Sequence, residues 1–265
     1  MADSTIVRID VKHAGPIWVD KADHGVGQRL YAQGFREPGF MWVLRHEAEG
    51  VVVDIGANIG YCTLQMLPHC EHVHAFEPDE RTRMLLERNT QGKSVSVESL
   101  AIWDTVGTVG FIQEKRPNLS YATAGCGTLA VTLDAWRQEP IAIRLVKMDI
   151  EGGEVQAIRG GHKLLAQGPM KIAMELHPDR YGPTNDMAEQ LRWLLSVGYK
   201  FKYVENAKGK LSEFKAYRPF KTFKGTDRAL FKTPDLPDDD TLVEWCTTMP
   251  EDGKKVVRSI LLVKE

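Results

Sequence analysis

The chain has 265 residues, enough for one well-buried α/β core, and its formal net charge of −2 gives no general attraction to nucleic acid or to acidic membranes. No apolar stretch reaches the roughly eighteen residues of a membrane span, and no charged-then-apolar leader segment opens the chain. Its four cysteines are scattered without a Cys-x-x-Cys pair, which is typical of reduced thiols, so we expect a cytoplasmic protein that binds no membrane.

The hydrophobic pattern predicts strands that alternate with helices along most of the chain. In chain order, we expect a strand at 5–12, a loop at 25–34, a helix at 37–47, a strand at 51–55, a helix at 59–67, a strand at 73–77, a helix at 80–90, one or two short strands at 95–103, a strand at 143–149, a helix at 153–166, a strand at 170–176, a helix at 185–197, and strands at 199–205 and 256–263. Asn58 and Asp79 are the predicted N-caps of the second and third of these helices. This alternation favours an α/β fold with a mostly parallel, twisted sheet and helices on both faces.

The most informative segment is the Gly-rich turn that follows the first buried strand. Residues 51–60 read Val-Val-Val-Asp-Ile-Gly-Ala-Asn-Ile-Gly, so an apolar strand containing Asp54 leads through Gly56 and Gly60 into a helix. Glycine lets the backbone turn sharply and lets a ligand approach closely. About twenty residues later a second strand ends at Glu77, where the matching acid of dinucleotide-binding folds accepts hydrogen bonds from ribose. This layout predicts a βαβ unit that binds a nucleoside.

The residues of the turn separate two kinds of nucleoside ligand. A dinucleotide site has the pattern G-x-G-x-x-G and packs a pyrophosphate against the helix N-terminus, whereas this chain has Asp54-x-Gly56-x-Asn58-x-Gly60. The carboxylate of Asp54 would repel a pyrophosphate but would hold a cationic amino-acid group, directly or through water. A nucleoside that carries an amino acid and no phosphate is S-adenosylmethionine, which we predict to be the cofactor. The alternative is a tight turn with no ligand.

Five separated blocks of the sequence resemble, in order, the FkbM-type family of S-adenosylmethionine-dependent methyltransferases. These blocks are Asp54 to Gly60, Phe76-Glu77-Pro78, Thr132-Leu133-Asp134, Lys147 to Glu154, and Glu175-Leu176-His177-Pro178. The resemblance covers about residues 50–205 and is weak over 1–45 and 206–265. It implies a Rossmann-like class I methyltransferase fold and, less directly, methyl transfer to a hydroxyl oxygen, often on a sugar or a secondary metabolite. It also implies that an adenine ring packs beside Leu100 and Ala101.

Several predicted strands end in an acid, and ligands of parallel sheets bind beyond the carboxyl ends of the strands. The predicted cofactor-binding residues are Asp54, Gly56, Ala57, Asn58, Gly60, Glu77, Pro78, Ala101 and Asp149. The acids among these residues can also have a purely structural role. Asp54 can cap the turn that follows it. One of Asp149, Glu151 and Glu154 can simply cap the N-terminus of the next helix, where a carboxylate is stabilised by the helix dipole.

Methyl transfer requires that the acceptor oxygen, the methyl carbon and the sulfur be held in line, and a hydroxyl acceptor also benefits from a base. The predicted catalytic residues are Asp149, Glu175 and His177. Asp149 would lie near the methyl group, and His177, beside a strand-end acid, is the predicted base. Two alternatives stay open. Glu175 and His177 can form a buried structural pair, or the three residues can bind a divalent metal that lowers the hydroxyl pKa. Because their spacing matches no recognised metal site, we predict no metal.

Residues 200–232 contain ten Lys or Arg and three acids, with aromatic residues interleaved. Three interpretations are open for this basic-aromatic segment: an amphipathic segment that buries its aromatics, a surface for an anionic small substrate, or a nucleic-acid surface. The predicted division of the chain is an N-terminal extension, 1–48, whose residues 25–36 cover the cofactor, and a methyltransferase domain, 49–265. That domain would carry a basic-aromatic insert at about 206–240.

The sequence therefore predicts an S-adenosylmethionine-dependent O-methyltransferase that acts on a hydroxyl of a sugar or small-molecule metabolite. The expected partner is that small acceptor, neutral or anionic, while nucleic acid is disfavoured and the oligomeric state is not predicted. The alternatives are methylation of a macromolecule, RNA or protein, and a cofactor-binding scaffold without catalysis.

Overall fold

The chain forms a nine-stranded central sheet surrounded by helices, a four-stranded side sheet and a β-hairpin. The computed structural model describes residues 5–112, 121–124, 127–136, 142–206, 217–226, 228–250 and 253–265. The strands are β1 Ile6–Val11, β2 Gly15–Asp20, β3 Val51–Ile55, β4 His72–Phe76, β5 Val95–Glu98, β6 Ala101–Ile102, β7 Gly107–Ile112, β8 Tyr121–Ala124, β9 Thr128–Val131, β10 Ile143–Met148, β11 Met170–Leu176, β12 Lys200–Asn206, β13 Lys221–Thr222, β14 Ala229–Lys232 and β15 Arg258–Lys264. The helices are α1 Val26–Gln33, α2 Pro38–Glu47, α3 Tyr61–Met66, α4 Glu80–Thr90, α5 Leu133–Trp136, α6 Glu154–Arg159, α7 His162–Leu165, α8 Met187–Ser196 and α9 Asp239–Thr247.

The strand order of the central sheet is β13-β14-β12-β15-β11-β10-β3-β4-β5. The strands from β11 to β5 pair in parallel, and the remaining pairings are antiparallel. Seven of the nine strands consequently point the same way, with only β15 and β14 reversed. This confirms the predicted mostly parallel sheet. The chain order of the parallel strands reverses between β3 and β10, and open α/β sheets bind ligands at such a point.

Helices cover both faces of the central sheet because its inner strands are apolar on both sides. Val52 of β3 belongs to the buried cluster that contains Leu44 of α2 and Leu86 of α4. Its neighbour Val53 belongs to the cluster on the other face, which contains Val155 of α6. A parallel strand between two layers of helices has such a continuous apolar run rather than an alternating one. The predicted helices on both faces are therefore confirmed.

Most predicted elements are present, with bounds that differ by a few residues. The strand expected at 170–176 is β11, and the helix expected at 37–47 is α2. Asp79 caps α4 as predicted, since its Oδ1 accepts the backbone N–H of Thr82 at 2.8 Å. The strands that were not predicted from the sequence include β2, which forms a hairpin with β1, and β7, β8 and β9 of the side sheet.

The loop predicted at 25–34 is wrong, because Val26–Gln33 forms the helix α1. Val26 and Leu30, four residues apart, are buried on one side of this helix. Gly27 lies so close to the next segment that a Cβ would overlap the carbonyl oxygen of Asp20. Glycines at such contacts lower the apparent helix propensity, so the local sequence favoured a loop where tertiary packing makes a helix.

The single helix predicted at 153–166 is two short helices, α6 and α7, that meet at Gly160 and Gly161. A Cβ at Gly160 would overlap the carbonyl oxygen of Trp103. The new helix α7 begins against Asp134, whose carboxylate accepts the backbone N–H groups of Lys163 and Leu164. The interruption thus depends on contacts that are distant in sequence.

The predicted cap at Asn58 is also wrong. The helix begins at Tyr61, its N-cap is Gly60 in the left-handed region, and no side chain caps it. Asn58 itself has a φ of 52° and uses its Oδ1 to accept the N–H of Ile59. Asn58 is therefore part of the turn before the helix, where a left-handed asparagine is tolerated.

The basic-aromatic segment is only partly described. Residues 207–216 and 227 lie outside the described residues, including Lys208, Lys210, Phe214 and Lys215. The rest forms the outer strands β12, β13 and β14, in which Phe201, Tyr203 and Phe231 are buried. In the part that the structure describes, these aromatics pack into the core, as the amphipathic interpretation requires.

Candidate active site

The Gly-rich turn between β3 and α3 is held against the ends of two neighbouring strands. The backbone N–H groups of Gly56 and Ala57 both donate to the carbonyl oxygen of Phe76, at 3.1 and 3.0 Å. Gly56 has a φ of +75°, and a Cβ there would overlap the carbonyl oxygen of Asp149, just after β10. Glycine is therefore required both for the positive φ and for the close approach.

Glu77 lies at the end of β4, where its carboxylate is fixed by the backbone. Its Oε2 accepts the N–H of Asn58 at 2.9 Å, and its Oε1 accepts the N–H of Asp79 at 3.0 Å. Each carboxylate oxygen keeps a further acceptor position for the hydroxyl group of a ligand. Burial raises the pKa of Glu77 to about 7. Its contact with a ribose stays a prediction, and the geometry that such a contact needs is present.

Asp54 lies beneath the turn and pairs with Lys147 of β10. The Lys147 ammonium is 3.0 Å from Oδ1 of Asp54, and both side chains are buried. The hydroxyl of Thr63 donates to the other carboxylate oxygen at 2.6 Å. Asp54 does not line the cavity described below, whereas Lys147 does. Asp54 therefore lies behind the wall with its charge paired to an internal cation, and its predicted contact with a cationic ligand group, directly or through water, stays a prediction.

A cavity of about 550 Å³ lies over the carboxyl ends of β3, β4 and β10, a volume typical of small-molecule sites. Its wall contains eight of the eleven predicted site residues: Gly56, Ala57, Asn58, Glu77, Pro78, Ala101, Asp149 and Glu175. The other three, Asp54, Gly60 and His177, are not part of the wall. Gly60 supports the turn from behind, since a Cβ there would lie 2.9 Å from Cδ1 of Leu86.

One part of the wall is formed by the segment between β5 and the side sheet. It contains Leu100, Ala101, Ile102 and Trp103. These side chains offer an apolar surface next to the end of β4, where Glu77 lies. Ala101 is therefore in a position that suits the adenine contact implied by the family resemblance.

Four carboxylates gather in another part of the wall: Glu37, Asp149, Glu151 and Glu175. Burial, together with the charges of Asp149 and Glu37, raises the pKa of Glu175 well above its usual value. Burial also raises the pKa of Glu151 to about 7. Glu175 is only 4% exposed, yet its Oε2 has no hydrogen-bond partner. The acidic part of the wall therefore contains a buried carboxylate oxygen, Oε2 of Glu175, that can accept a hydrogen bond from a ligand.

Arg36 and Glu37 line the cavity although no motif indicated them. The Nη2 of Arg36 is 2.6 Å from Oε1 of Glu37, and Glu37 is also hydrogen-bonded to Glu175. Glu37 has a φ of 41° where the chain enters α2, and such left-handed non-glycine residues are often found at functional sites. The sequence indicated a role for this region only through the segment 25–36, which ends at Arg36, directly before Glu37, and was expected to cover the cofactor. Val26, at the other end of that segment, also lines the cavity.

His177 does not line the cavity but lies against the acidic part of its wall. Its Nδ1 is 3.3 Å from Oε1 of Glu154, and its Nε2 is 3.5 Å from Oε2 of Glu151 and 3.9 Å from Oδ1 of Asp149. Burial alone would lower the pKa of His177, but the contact with Glu154 and the charges of the three carboxylates raise it to about 10. A protonated ring cannot accept another proton, so these neighbours disfavour the role of His177 as base, which stays a prediction.

Among the described residues, no helix is both long and apolar enough to cross a membrane. Cys62, Cys70 and Cys246 are free thiols, whereas Cys126 lies outside the described residues.

The central sheet and its connections define an α/β fold of the class I methyltransferase type, with a cavity of about 550 Å³ at the switch point of the sheet. Residues 54–201 match the Methyltransferase FkbM domain, which is more than half of the chain. The chain therefore belongs to the FkbM methyltransferase family. No curated protein matches the chain.

Several solved structures are similar to the chain. The FkbM methyltransferase from Methylobacillus flagellatus KT is 20% identical with a TM-score of 0.41, over 57% of this chain and 38% of that one. This chain thus spans less than half of that protein. A putative S-adenosylmethionine-dependent methyltransferase from Listeria monocytogenes is 14% identical with a TM-score of 0.41, over 81% and 90% of the two chains. An rRNA methylase from Streptococcus thermophilus is 12% identical with a TM-score of 0.39, over 84% and 93%.

Proposed function

We propose that this protein transfers a methyl group from S-adenosylmethionine to a hydroxyl oxygen of a sugar or small-molecule acceptor. The observation that carries the proposal is the meeting of three features in one cavity: the Gly56 turn, Glu77 and the acidic strand ends. When bound, S-adenosylmethionine supplies a methyl group that is already activated on a sulfonium. The protein is left with binding, alignment and removal of the hydroxyl proton.

The cofactor fits the chemistry of the wall near the Gly-rich turn. Glu77 would accept hydrogen bonds from the ribose hydroxyls, because each of its oxygens is held by one backbone N–H and has room for a second donor. Leu100 and Ala101 would flank the adenine. Glu37, which also lines the cavity, would provide negative charge for the ammonium group that the sequence assigned to Asp54.

The proton acceptor is assigned to the acidic part of the wall, and Glu175 is the best placed of its members. Glu175 lines the cavity and has a carboxylate oxygen without a partner, whereas His177 is outside the wall. The raised pKa of Glu175 means that only its ionised form can take the proton, and it makes that ionised form a strong proton acceptor. A base must lie within hydrogen-bond reach of the proton that it removes. Glu175 therefore replaces His177 as the proposed base, and Asp149 keeps its proposed place beside the acceptor.

The charge of the wall also bears on the acceptor. Among the described residues, seven carboxylates and three cationic side chains line the cavity. A neutral hydroxyl compound such as a sugar suits this surface better than an anionic one, which would need positive charge from elsewhere. For the location we propose the cytoplasm, which the three free thiols support.

Calorimetry with S-adenosylhomocysteine tests the cofactor assignment. We expect binding to the wild-type chain, and a loss of about 1.5–3 kcal/mol of binding free energy in Glu77→Ala, because a charge-assisted hydrogen bond is removed. Glu87→Ala is the matched control, since Glu87 lies on an exposed side of α4, where it pairs with Arg83. Equal affinity in wild type and Glu77→Ala, or tight binding of NAD, would contradict the assignment.

A panel of sugars, nucleotide sugars and small hydroxyl compounds, incubated with labelled S-adenosylmethionine, tests the acceptor. Mass spectrometry of the products should show methylation of a hydroxyl oxygen. Methylated RNA or protein in a parallel incubation would favour the macromolecular alternative. Cofactor binding without turnover on any acceptor would favour the non-catalytic scaffold.

A further inference from the structure

Asp149, Glu151 and His177 bring three ligand-type atoms together at the end of the cavity. One carboxylate oxygen of each acid and one ring nitrogen of the histidine all lie within 4.8 Å of one another. Asp149 and Glu151 follow β10, and His177 follows the adjacent parallel strand β11. The parallel pairing of these two strands is what places residues 26 or more positions apart in sequence around one point.

The distances from the ring nitrogen of His177 to the two acids suit a single cation bound by all three side chains. Nε2 of His177 is 3.5 Å from Oε2 of Glu151 and 3.9 Å from Oδ1 of Asp149. Ligand atoms that each lie about 2.1 Å from one ion are roughly 3.0–4.2 Å from one another. The same separations are too long for strong hydrogen bonds between the ring and the two carboxylates.

A second and independent feature is the support of the histidine ring from behind. Nδ1 of His177 is 3.3 Å from Oε1 of Glu154, a fully buried residue. Glu154 is fixed in turn by the backbone N–H of Ile150 at 3.0 Å and by the hydroxyl of Tyr181 at 3.1 Å. A histidine that binds a metal commonly donates its other ring N–H to a carboxylate, which orients the ring. Glu154 is the carboxylate that faces Nδ1 of His177, although the two side chains make no hydrogen bond of regular geometry in this structure.

The cluster is also open to a ligand and is bordered by an unsatisfied acceptor. Asp149 and Glu151 line the cavity, with 24% and 20% of their side chains exposed. The neighbouring Glu175, 4% exposed, keeps its Oε2 without a hydrogen-bond partner. A cation at this point would therefore face both the cavity and a buried carboxylate.

We infer that Asp149, Glu151 and Nε2 of His177 bind one divalent cation of the Mn²⁺ or Mg²⁺ class at the acceptor end of the cavity. The cation would take the place of the proton on Nε2, which is released to solvent when the ion binds. Two carboxylates and one imidazole are ligands that Mn²⁺ accepts readily, and the open side leaves positions for water or substrate oxygen. The use of the cation rests on the proposed function, because there it would lower the pKa of the acceptor hydroxyl and leave Glu175 to receive the proton. This inference differs from the prediction of no metal, which considered spacing in sequence alone.

The test uses Mn²⁺ itself, added to the full chain after chelator treatment and without cofactor, with free Mn²⁺ followed by electron paramagnetic resonance. We expect one saturable site per chain. Glu151→Gln and His177→Gln should each weaken Mn²⁺ binding at least tenfold, and Glu154→Gln should weaken it roughly 10–100-fold, the loss typical of an outer-shell carboxylate. Glu87→Gln, which removes an acid on an exposed side of α4, should bind Mn²⁺ like the wild type.

Saturable binding that is lost in Glu151→Gln supports the inference even if His177→Gln fails to fold, because Glu151 is only partly buried. Absence of a saturable site in the wild type, or equal Mn²⁺ affinity in the folded variants, would show that His177 is simply an ion-pair partner of the two acids. Calorimetry with S-adenosylhomocysteine on the same samples separates the two proposals. Intact Mn²⁺ binding without S-adenosylhomocysteine binding overturns the proposed function alone, and the reverse result overturns the cation site alone.

Discussion

The ammonium of Lys147 lies 3.0 Å from Oδ1 of Asp54, with both side chains buried directly beneath the Gly-rich turn. The two residues face each other because β3 and β10 pair in parallel with Lys147 opposite Asp54. Lys147 also donates to the carbonyl oxygen of Gly56 at 2.8 Å. One internal ion pair thus ties the turn to both strands, and the shape of the turn does not require Asp54 to touch the ligand.

Removal of Lys147 should be costly because it leaves the Asp54 carboxylate buried without a cation. We expect Lys147→Met to lower the free energy of unfolding by about 3–5 kcal/mol, measured by urea denaturation. The double variant Asp54→Asn/Lys147→Met should lose less than Lys147→Met alone, since no unpaired charge remains. Additive losses in the double variant would mean that the two side chains contribute independently.

Gly56 and Gly92 form a matched pair for testing the close approach of the turn. Their φ values are +75° and +74°, but a Cβ at Gly92 meets open space, whereas one at Gly56 overlaps the carbonyl oxygen of Asp149. We expect Gly92→Ala to lose about 1–2 kcal/mol in stability from the left-handed backbone alone. Gly56→Ala should lose about 1–3 kcal/mol more, from the overlap, and should also weaken S-adenosylhomocysteine binding. Equal losses in the two urea titrations would argue that the approach to Asp149 is not tight.

The features of the site that sequence could predict are those that depend on neighbouring residues. The apolar run of β3 predicts a buried strand, and the glycines after it predict a turn with a positive φ at Gly56. Glu77 directly follows β4, so its position at the carboxyl end of the sheet could be predicted as soon as that strand was identified. For the same reason most strands and helices, the parallel sheet and the wall residues near the turn were predictable.

The features that sequence could not predict depend on contacts between distant segments. The ionic partner of Asp54 is Lys147, which is 93 positions away and becomes a neighbour only through strand pairing. His177 was a reasonable base until its three carboxylate neighbours were known, because its protonation state is set by them. Arg36 belongs to the segment 25–36 that was expected to cover the cofactor, but only the fold shows that its side chain lines the cavity and pairs with Glu37.

The pKa of Glu77 predicts how cofactor affinity depends on pH. Burial raises this pKa to about 7, and the ionised carboxylate is the better acceptor for two ribose hydroxyls. The affinity for S-adenosylhomocysteine should therefore rise as the pH increases through about 7, by up to about tenfold for each pH unit below the pKa. Glu77→Gln should bind more weakly and without this dependence. Calorimetry across the pH range checks the slope, and parallel curves for both proteins would assign it to another group.

The sign of the same shift also predicts an effect on stability without ligand. An acid whose pKa is higher in the folded state than in the unfolded state binds more protons when folded. The contribution of Glu77 to the free energy of unfolding should therefore fall as the pH rises from about 4.5 toward 7. In urea titrations the wild type should lose stability over this window relative to Glu77→Gln. A difference that grows in the opposite direction would mean that Glu77 stays ionised in the folded protein.

The final prediction separates Glu175 from His177 as the proton acceptor. Glu175→Gln keeps the shape of the side chain but cannot take a proton, so kcat on the acceptor found by the substrate panel should fall roughly 10²–10⁴-fold. Affinity of this variant for S-adenosylhomocysteine should change little, because Glu175 is not one of the groups assigned to the nucleoside. Its Mn²⁺ affinity should stay within about tenfold of the wild type, because Glu175 is not one of the three proposed ligands.

His177→Gln should lose both kcat and Mn²⁺ affinity, and excess Mn²⁺ should partly restore its kcat. Full activity in Glu175→Gln, with a loss in His177→Gln that Mn²⁺ does not restore, would return the role of base to the histidine.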